Sequence, residues 1–422
     1  MTVSSRSRRA LLRPQTALHM LNGDLPAWMP RLTFAPKYEN PAGDVLISIF
    51  LRGGADALNM IVPHGDDNYY TARPQLAIPR PDERGSDPKT IDLDGFFGLH
   101  PNMEALEPVF RAGEIAAIHA TGSPDPTRSH FRAMDYMERG TPGQNQLSTG
   151  WVARHLATLD TGNQSPLRAV GWGTSIPAQL RGPVTAVAIK SIVDYHLGGR
   201  EEAAEPMLET LNALYSLGDD EIARAAQQTK ETIDMVQQVG VAQYRARSGA
   251  LYPESEFGLA LLQTAALLLA DVGLETVCID AGGWDTHFAQ GSTQGEFANL
   301  VTDLAQGLAA FHEDMGPDME NVTVVVMSEF GRRLAENASR GTDHGHGGAM
   351  LVMSGSLQAD PVVADWPGLD LENLDDGDLS ITTDYRDVLS EIIRLRLNNP
   401  GVADVFPDFE PAPVGLFGSS GA

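Results

Sequence analysis

Cysteine is nearly absent from this chain of 422 residues. Cys278 is the only one, so no intrachain disulfide can form, and the compartment stays open on that ground. Its setting, Glu275-Thr276-Val277-Cys278-Ile279-Asp280, reads as a place for a buried structural thiol. Long apolar runs are missing too. The most apolar window, 257–270, is too short to cross a bilayer and contains Gln263 and Thr264, so no integral membrane segment is expected. Basic charge is scarce: 30 Lys and Arg stand against 56 Asp and Glu, a net charge of -26. Such a chain repels nucleic acid and anionic membrane surfaces, which excludes nucleic acid as a partner. The acid surplus is consistent with bound cations, and more commonly it keeps a surface soluble. Several signatures are also lacking. There is no Walker loop, no strand-linked Gly-x-Gly-x-x-Gly, no His-Glu-x-x-His and no Gly-x-Ser-x-Gly elbow.

The length and 42% hydrophobic content allow one large α/β domain or two, and the pattern favours one. Residues 1–43 read as an irregular arm rich in Pro and Arg. Within it, Ser7-Arg8-Arg9-Ala10-Leu11-Leu12 resembles a twin-arginine export signal, but Arg13, Pro14, Gln15 and His19 interrupt the apolar core that should follow. The expected location is periplasmic or exported if that pair acts as a signal, and cytoplasmic otherwise. From 44 to 422 a single α/β domain is expected. Val45-Leu46-Ile47-Ser48-Ile49-Phe50-Leu51 is continuously apolar, as a strand covered on both faces requires. Further strands are expected at 115–120, around Ala169, and at 184–193, 276–279 and 322–327, and helices at 101–111, 131–139, 151–159, 257–271, 295–311 and 385–397. Residues 80–95 look like an excursion loop, and 201–248, rich in Glu, Ala, Gln and Leu, like a helical cap or insertion. Alternating helix and apolar strand predicts a mostly parallel central sheet with helices on both faces.

In such sheets sites form at the carboxyl ends of strands, and Asp56, Asp285 and Glu329 all fall just past expected strand ends. Asp56 follows Gly53-Gly54, where a ligand can approach closely; it also suits a tight turn or helix cap. Asp285 and His287, two residues apart in Gly282-Gly283-Trp284-Asp285-Thr286-His287, can face one ion from an extended loop, with Trp284 as a pocket wall. Asp343-His344-Gly345-His346 lies on a flexible polar loop, where histidines have little reason to be core residues. Asp, Glu and His are ligands for divalent cations, and this set suits Zn, Mn, Ca or Mg. Ser129 stands where a loop passes into a helix, a position suited to a nucleophile near an anion, though also to an ordinary cap, and Thr127 competes with it. Arg128 and His130 flank it and can hold an anionic group. Glu329 is a ligand or the partner of Arg332 or Arg333, either of which can bind an anion bidentately. Asn59, Trp284 and Arg332 are the substrate-facing candidates.

At these residues the chain resembles the bacterial family called domain of unknown function 1501. The resemblance runs from about Gly43 to the final helix. It rests on Leu51-Arg52-Gly53-Gly54-Ala55-Asp56-Ala57-Leu58-Asn59, Ser129-His130-Phe131, Gly283-Trp284-Asp285-Thr286-His287, Ser328-Glu329-Phe330-Gly331-Arg332 and Asp343-His344-Gly345-His346-Gly347-Gly348. That family is similar to the alkaline phosphatase and sulfatase superfamily, whose members use a divalent-metal pair and a nucleophile at a helix start. The resemblance implies that Asp56 is a metal ligand, that Ser129 is the nucleophile, and that Asp285 and His287 bind one metal with His346 completing the shell. Glu329 and the Asp343-His344 pair would serve a second metal. Glu329-Phe330 replaces the superfamily's adjacent Asp and His, so one or two ions are implied. The formylglycine route of sulfatases is disfavoured, because Pro124 precedes Asp125-Pro126-Thr127-Arg128 where a cysteine or modifiable serine is needed, and the only cysteine is far away. The expected function is metal-dependent hydrolysis of small phosphate or sulfate esters. The alternative is a catalytically idle member of the fold, serving as a binding or secretion-associated protein. A phosphomutase-like transferase is not separable from a hydrolase by sequence, nor is the oligomeric state given.

Overall fold

The computed structural model describes residues 43–85, 88–144, 146–191, 230–233, 235 and 244–418. The expected arm, except Gly43, and most of the expected cap over 201–248 lie outside these residues. Among the described residues the strands are β1 (Val45–Leu51), β2 (Ile61–Val62), β3 (Ile91–Asp92), β4 (Gly98–Leu99), β5 (Ile115–Gly122), β6 (Ala169–Trp172), β7 (Val187–Ile189), β8 (Thr276–Ala281), β9 (Val322–Ser328), β10 (Gly348–Met353), β11 (Val362–Val363) and β12 (Thr383–Asp384). Nine of them form one sheet in the order β11-β5-β10-β9-β1-β8-β6-β7, with β12 also pairing with β5. Every pairing in it is parallel except those of β10, which runs against both β5 and β9.

β1 sits at the centre, with Ile47 opposite Val277 on one side and Val324 on the other. All seven of its residues are buried, because each face is covered by its own helical layer. Val45, Ile47, Ile49 and Leu51 join the apolar cluster that contains residues of the helices Glu256–Leu269 and Glu296–Met315. Leu46 and Phe50 point the other way, into a cluster with residues of Trp151–Thr158 and Tyr385–Leu395. Each such large apolar side chain contributes about 1.5–3 kcal/mol on burial. Cys278 is buried in the second cluster, as expected from its neighbours. The mostly parallel sheet with helices on both faces is therefore the observed architecture.

Local chemistry accounts for the differences from expectation. The helix expected over 101–111 divides into a 3-10 turn, Pro101–Leu106, and an α-helix, Glu107–Arg111, because Pro108 has no amide hydrogen to continue one helix through. The strand expected over 184–193 is only Val187–Ile189 within the described residues. β10 is not among the expected strands, although Ala349-Met350-Leu351-Val352-Met353 is apolar. The excursion over 80–95 contributes β3 to a small sheet ordered β2-β4-β3. No helix among the described residues is long and apolar enough to cross a membrane.

Because β10 is reversed, its amino end lies on the same side of the sheet as the carboxyl ends of β5, β9, β1 and β8. The loops that leave or enter the sheet on that side carry the candidate residues.

Candidate metal centre

Four side chains meet there. His130 is the first residue of the helix His130–Arg139, which follows β5. Asp285 and His287 lie on the loop after β8, and His344 on the loop before β10, where it bridges to Arg332. Gly53, at the end of β1, is needed for this convergence. It has φ +126°, and a Cβ there would lie 2.5 Å from the Asp285 amide nitrogen, so only glycine lets the two loops pass this closely.

The three imidazoles share one arrangement. Nδ1 of His130 lies 2.7 Å from the Glu329 Oε1 carboxylate oxygen, Nδ1 of His287 lies 2.9 Å from Asp343 Oδ1, and Nδ1 of His344 lies 2.9 Å from the Arg128 carbonyl oxygen. Carboxylate and carbonyl oxygens accept, so each Nδ1 carries the proton and donates it. In the neutral ring the Nε2 lone pair is then left to face the centre. The Nε2 atoms lie 3.5 Å (His130), 3.0 Å (His287) and 3.2 Å (His344) from Asp285 Oδ1. Ligands at about 2.0–2.1 Å in a tetrahedral zinc shell stand roughly 3.3 Å apart, so these separations fit a shared cation. Two further observations support the fit. His287 and His344 bring their Nε2 atoms within 2.8 Å, which sets lone pair against lone pair unless a proton or cation lies between them. His130 Nε2 is buried and has no hydrogen-bond partner. The donor atoms of His130, Asp285 and His344 all lie within 4.8 Å of one another, and His287 adjoins this group through Asp285 and His344 rather than belonging to it.

The electrostatics keep the Asp285 carboxylate ionised. Burial pushes the Asp285 carboxyl up, but the hydrogen bond and charge of Arg332, followed by His344 and His287, hold it below its ordinary value. Hydrogen bonds from Asn337 and then His287 lower Asp343. Burial chiefly lowers His344, while the hydrogen bond to Glu329 raises His130.

The other candidates go elsewhere. Asp56 does not face the centre. Its carboxylate is fully buried, takes two hydrogen bonds from Arg73 Nη1 at 2.9 and 2.7 Å and one from Gln290 at 2.6 Å, and is neutralised by that arginine rather than by an ion. Asn59 belongs to the same buried network rather than to a substrate surface, accepting from Tyr69 and Arg73 and donating to the Leu76 carbonyl. Glu329 is buried and braces His130, while also accepting from the Gly53 amide and the Ser328 hydroxyl. Asp343 contacts His287 Nδ1 rather than the centre. His346 stands apart, with Nδ1 2.5 Å from Asp375 Oδ2 and Nε2 3.1 Å from the Ser123 carbonyl. Arg332 is buried and donates to the carbonyls of Gly53, Gly54, Trp284 and Thr342 and to Asp285, so it braces these loops rather than facing a substrate surface. Trp284 is a core side chain edge-on to Phe297, not an exposed wall. Arg128 is paired with the buried Asp378. Ser129 is exposed immediately before His130, and its hydroxyl makes no capping bond. Of its chain neighbours, His130 faces the centre through its ring, and the Arg128 carbonyl accepts from His344 Nδ1 behind it. Arg73, Gln290 and Asn337 carry no local sequence signal, because only the fold brings them to these loops.

A family model described as Protein of unknown function (DUF1501) matches residues 44–393. No curated relative matches the sequence. Among solved structures, the chain is similar to the C-terminal periplasmic domain of EcEptC from Escherichia coli in complex with Zn, at 9% identity and a TM-score of 0.37, over 88% of each chain. It is also similar to a protein in the alkaline phosphatase superfamily from Vibrio parahaemolyticus, at 12% identity and a TM-score of 0.34, over 85% of this chain and 71% of that one. A third is the lipoteichoic acid synthase LtaP from Listeria monocytogenes, at 8% identity and a TM-score of 0.33, over 80% of this chain and 74% of that one.

Proposed function

This chain belongs to the DUF1501 family, and from that premise we propose that it is a metal-dependent hydrolase of phosphate or sulfate esters with Ser129 as nucleophile. The observation that carries the proposal is the shared orientation of His130, His287 and His344, each with Nδ1 tied to an oxygen and Nε2 turned to Asp285. His130, Asp285 and His344 would hold one divalent ion, with His287 beside them, and a donor set dominated by imidazole suits Zn better than Mn, Ca or Mg. When bound, such an ion polarises the ester oxygens and makes a nearby hydroxyl easier to deprotonate. Ser129 Oγ attacks the phosphorus or sulfur, the alcohol leaves, and water later releases the acid from the serine. The amides at the start of the helix His130–Arg139 favour negative charge beside Ser129.

Elemental analysis of protein purified without chelator or metal-binding tag comes first. About one divalent ion per chain is expected, and its loss in an Asp285/His344 double variant would locate it. Ser129→Ala is expected to abolish turnover of aryl phosphate, phosphodiester or aryl sulfate substrates while retaining the ion. Full activity in that variant would remove Ser129 from the mechanism.

One observation favours a second reading. Arg128, Arg332 and Arg333, the arginines that the sequence offers as anion holders, are all paired with carboxylates, leaving none of these three to clamp an anionic substrate. That arrangement fits a metal-carrying protein that binds without turnover. Failure of every ester in the panel, with metal present at full occupancy, would select it.

A further inference from the structure

Both loops that supply the centre pass over one buried amide. Thr286, between Asp285 and His287, and Thr342, next to Asp343, both donate their hydroxyls to Gln290 Oε1, at 2.9 and 2.7 Å. Gln290 Nε2 donates to Asp56 Oδ2 at 2.6 Å. The amide cannot be turned over, because a carboxylate only accepts and therefore requires the nitrogen on its side. Asp56 is in turn fixed by Arg73, whose remaining nitrogens donate to the carbonyls of Arg333 and Leu334. Gln290, Asp56, Arg73 and Thr342 are all fully buried, and Thr286 is 2% exposed. A buried amide with matched partners on both ends has one arrangement available, so it transmits position rather than accommodating slack. The main chain repeats the link: the Thr342 amide donates to the Thr286 carbonyl, and the Gln290 amide to the Arg340 carbonyl.

We propose that Gln290 is a positioning residue that sets the spacing between the loop of Asp285 and His287 and the loop of His344. It does so by clasping Thr286 and Thr342 and anchoring both to Asp56. This rests on the metal-centre reading above. None of these five side chains touches the centre, so their effect passes entirely through the ligands. The geometry also gives Asp56 a purpose at the end of β1 other than coordination: it is the fixed acceptor against which the clasp is held.

The test uses the full chain, stripped of metal and titrated with zinc in competition with a chromogenic chelator. Thr342→Val removes one hydroxyl at nearly constant shape, Thr342→Ser keeps it, and Gln290→Met removes the amide. Zinc affinity is expected to fall about 10–100-fold in Thr342→Val and Gln290→Met, as for other residues that orient ligands from behind, and to recover in Thr342→Ser. Circular dichroism of the stripped proteins checks folding. If Gln290→Met does not fold, the Thr342 pair decides. Folded Thr342→Val that binds zinc as tightly as the wild type, even with a lowered urea midpoint, would overturn the clasp and leave the metal centre standing. A wild type that takes up no zinc would overturn both.

Discussion

At the scale of single residues, the same type of side chain is put to different uses by its neighbours. Asp56 and Asp285 both follow strand ends, yet one is locked in a buried ion pair and the other is half exposed among imidazoles. Removing one partner of a buried pair leaves the other charge without compensation, so Asp56→Ala is expected to destabilise by about 3–5 kcal/mol. Urea unfolding measures it, and an Asp56→Ala/Arg73→Met double variant should lose less than the two single changes added together. Glu329 raises His130 in the metal-free protein by favouring its charged form. Stability from this pair is therefore fully present below the ordinary histidine value of 6.5, and is lost as pH rises through the higher folded value. Glu329→Gln should lower the urea midpoint more at about pH 5.5 than at about pH 9, because the charged ring that the pair favours is lost as pH rises. An equal drop at both would mean that Glu329 acts through packing alone. Residue type and loop context single out Asp285, His287 and His344, which the fold brings together. The diversion of Asp56 and Arg332 is not legible in the sequence, since Arg73 and the carbonyls around Arg332 arrive from loops distant along the chain.

At the scale of elements, strands with nearly continuous apolar runs are readable because burial on both faces leaves few polar positions. β1 and β9 match the expected limits within a residue. β10 is masked in the sequence because its apolar residues emerge directly from a glycine and histidine loop, and the two-residue strands β2, β3 and β4 are too short to show any period. The turn after β1 is the element on which the centre most depends. Gly53→Ala would place a methyl 2.5 Å from the Asp285 amide at a φ that side chains avoid. One of the two loops must then move, and zinc affinity should fall at least tenfold, a loss of about 1.4 kcal/mol. Isothermal titration would show this, and unchanged affinity would mean that the loops have slack.

At the scale of the whole molecule, the centre ties together chain segments that are far apart in sequence: the helix after β5, the loop after β8 and the loop before β10. A cation bound only in the folded state stabilises it by about 2.7 kcal/mol at a hundred times its dissociation constant. Thermal unfolding should therefore shift upward with added zinc in the wild type and stay in place in His287→Ala/His344→Ala. A shift of the same size in that variant would assign the effect to another site. The sheet has a further consequence at this scale. β5 is an eight-residue apolar strand with β10 on one side. On its other side β11 pairs at Ala117 and Ile118, and β12 at Thr121 and Gly122. Two short segments, arriving from separate parts of the chain, thus occupy a margin that would otherwise present free amides and carbonyls to any passing strand. Self-association by strand addition is closed off along that border without a single charged or proline residue in β5 itself.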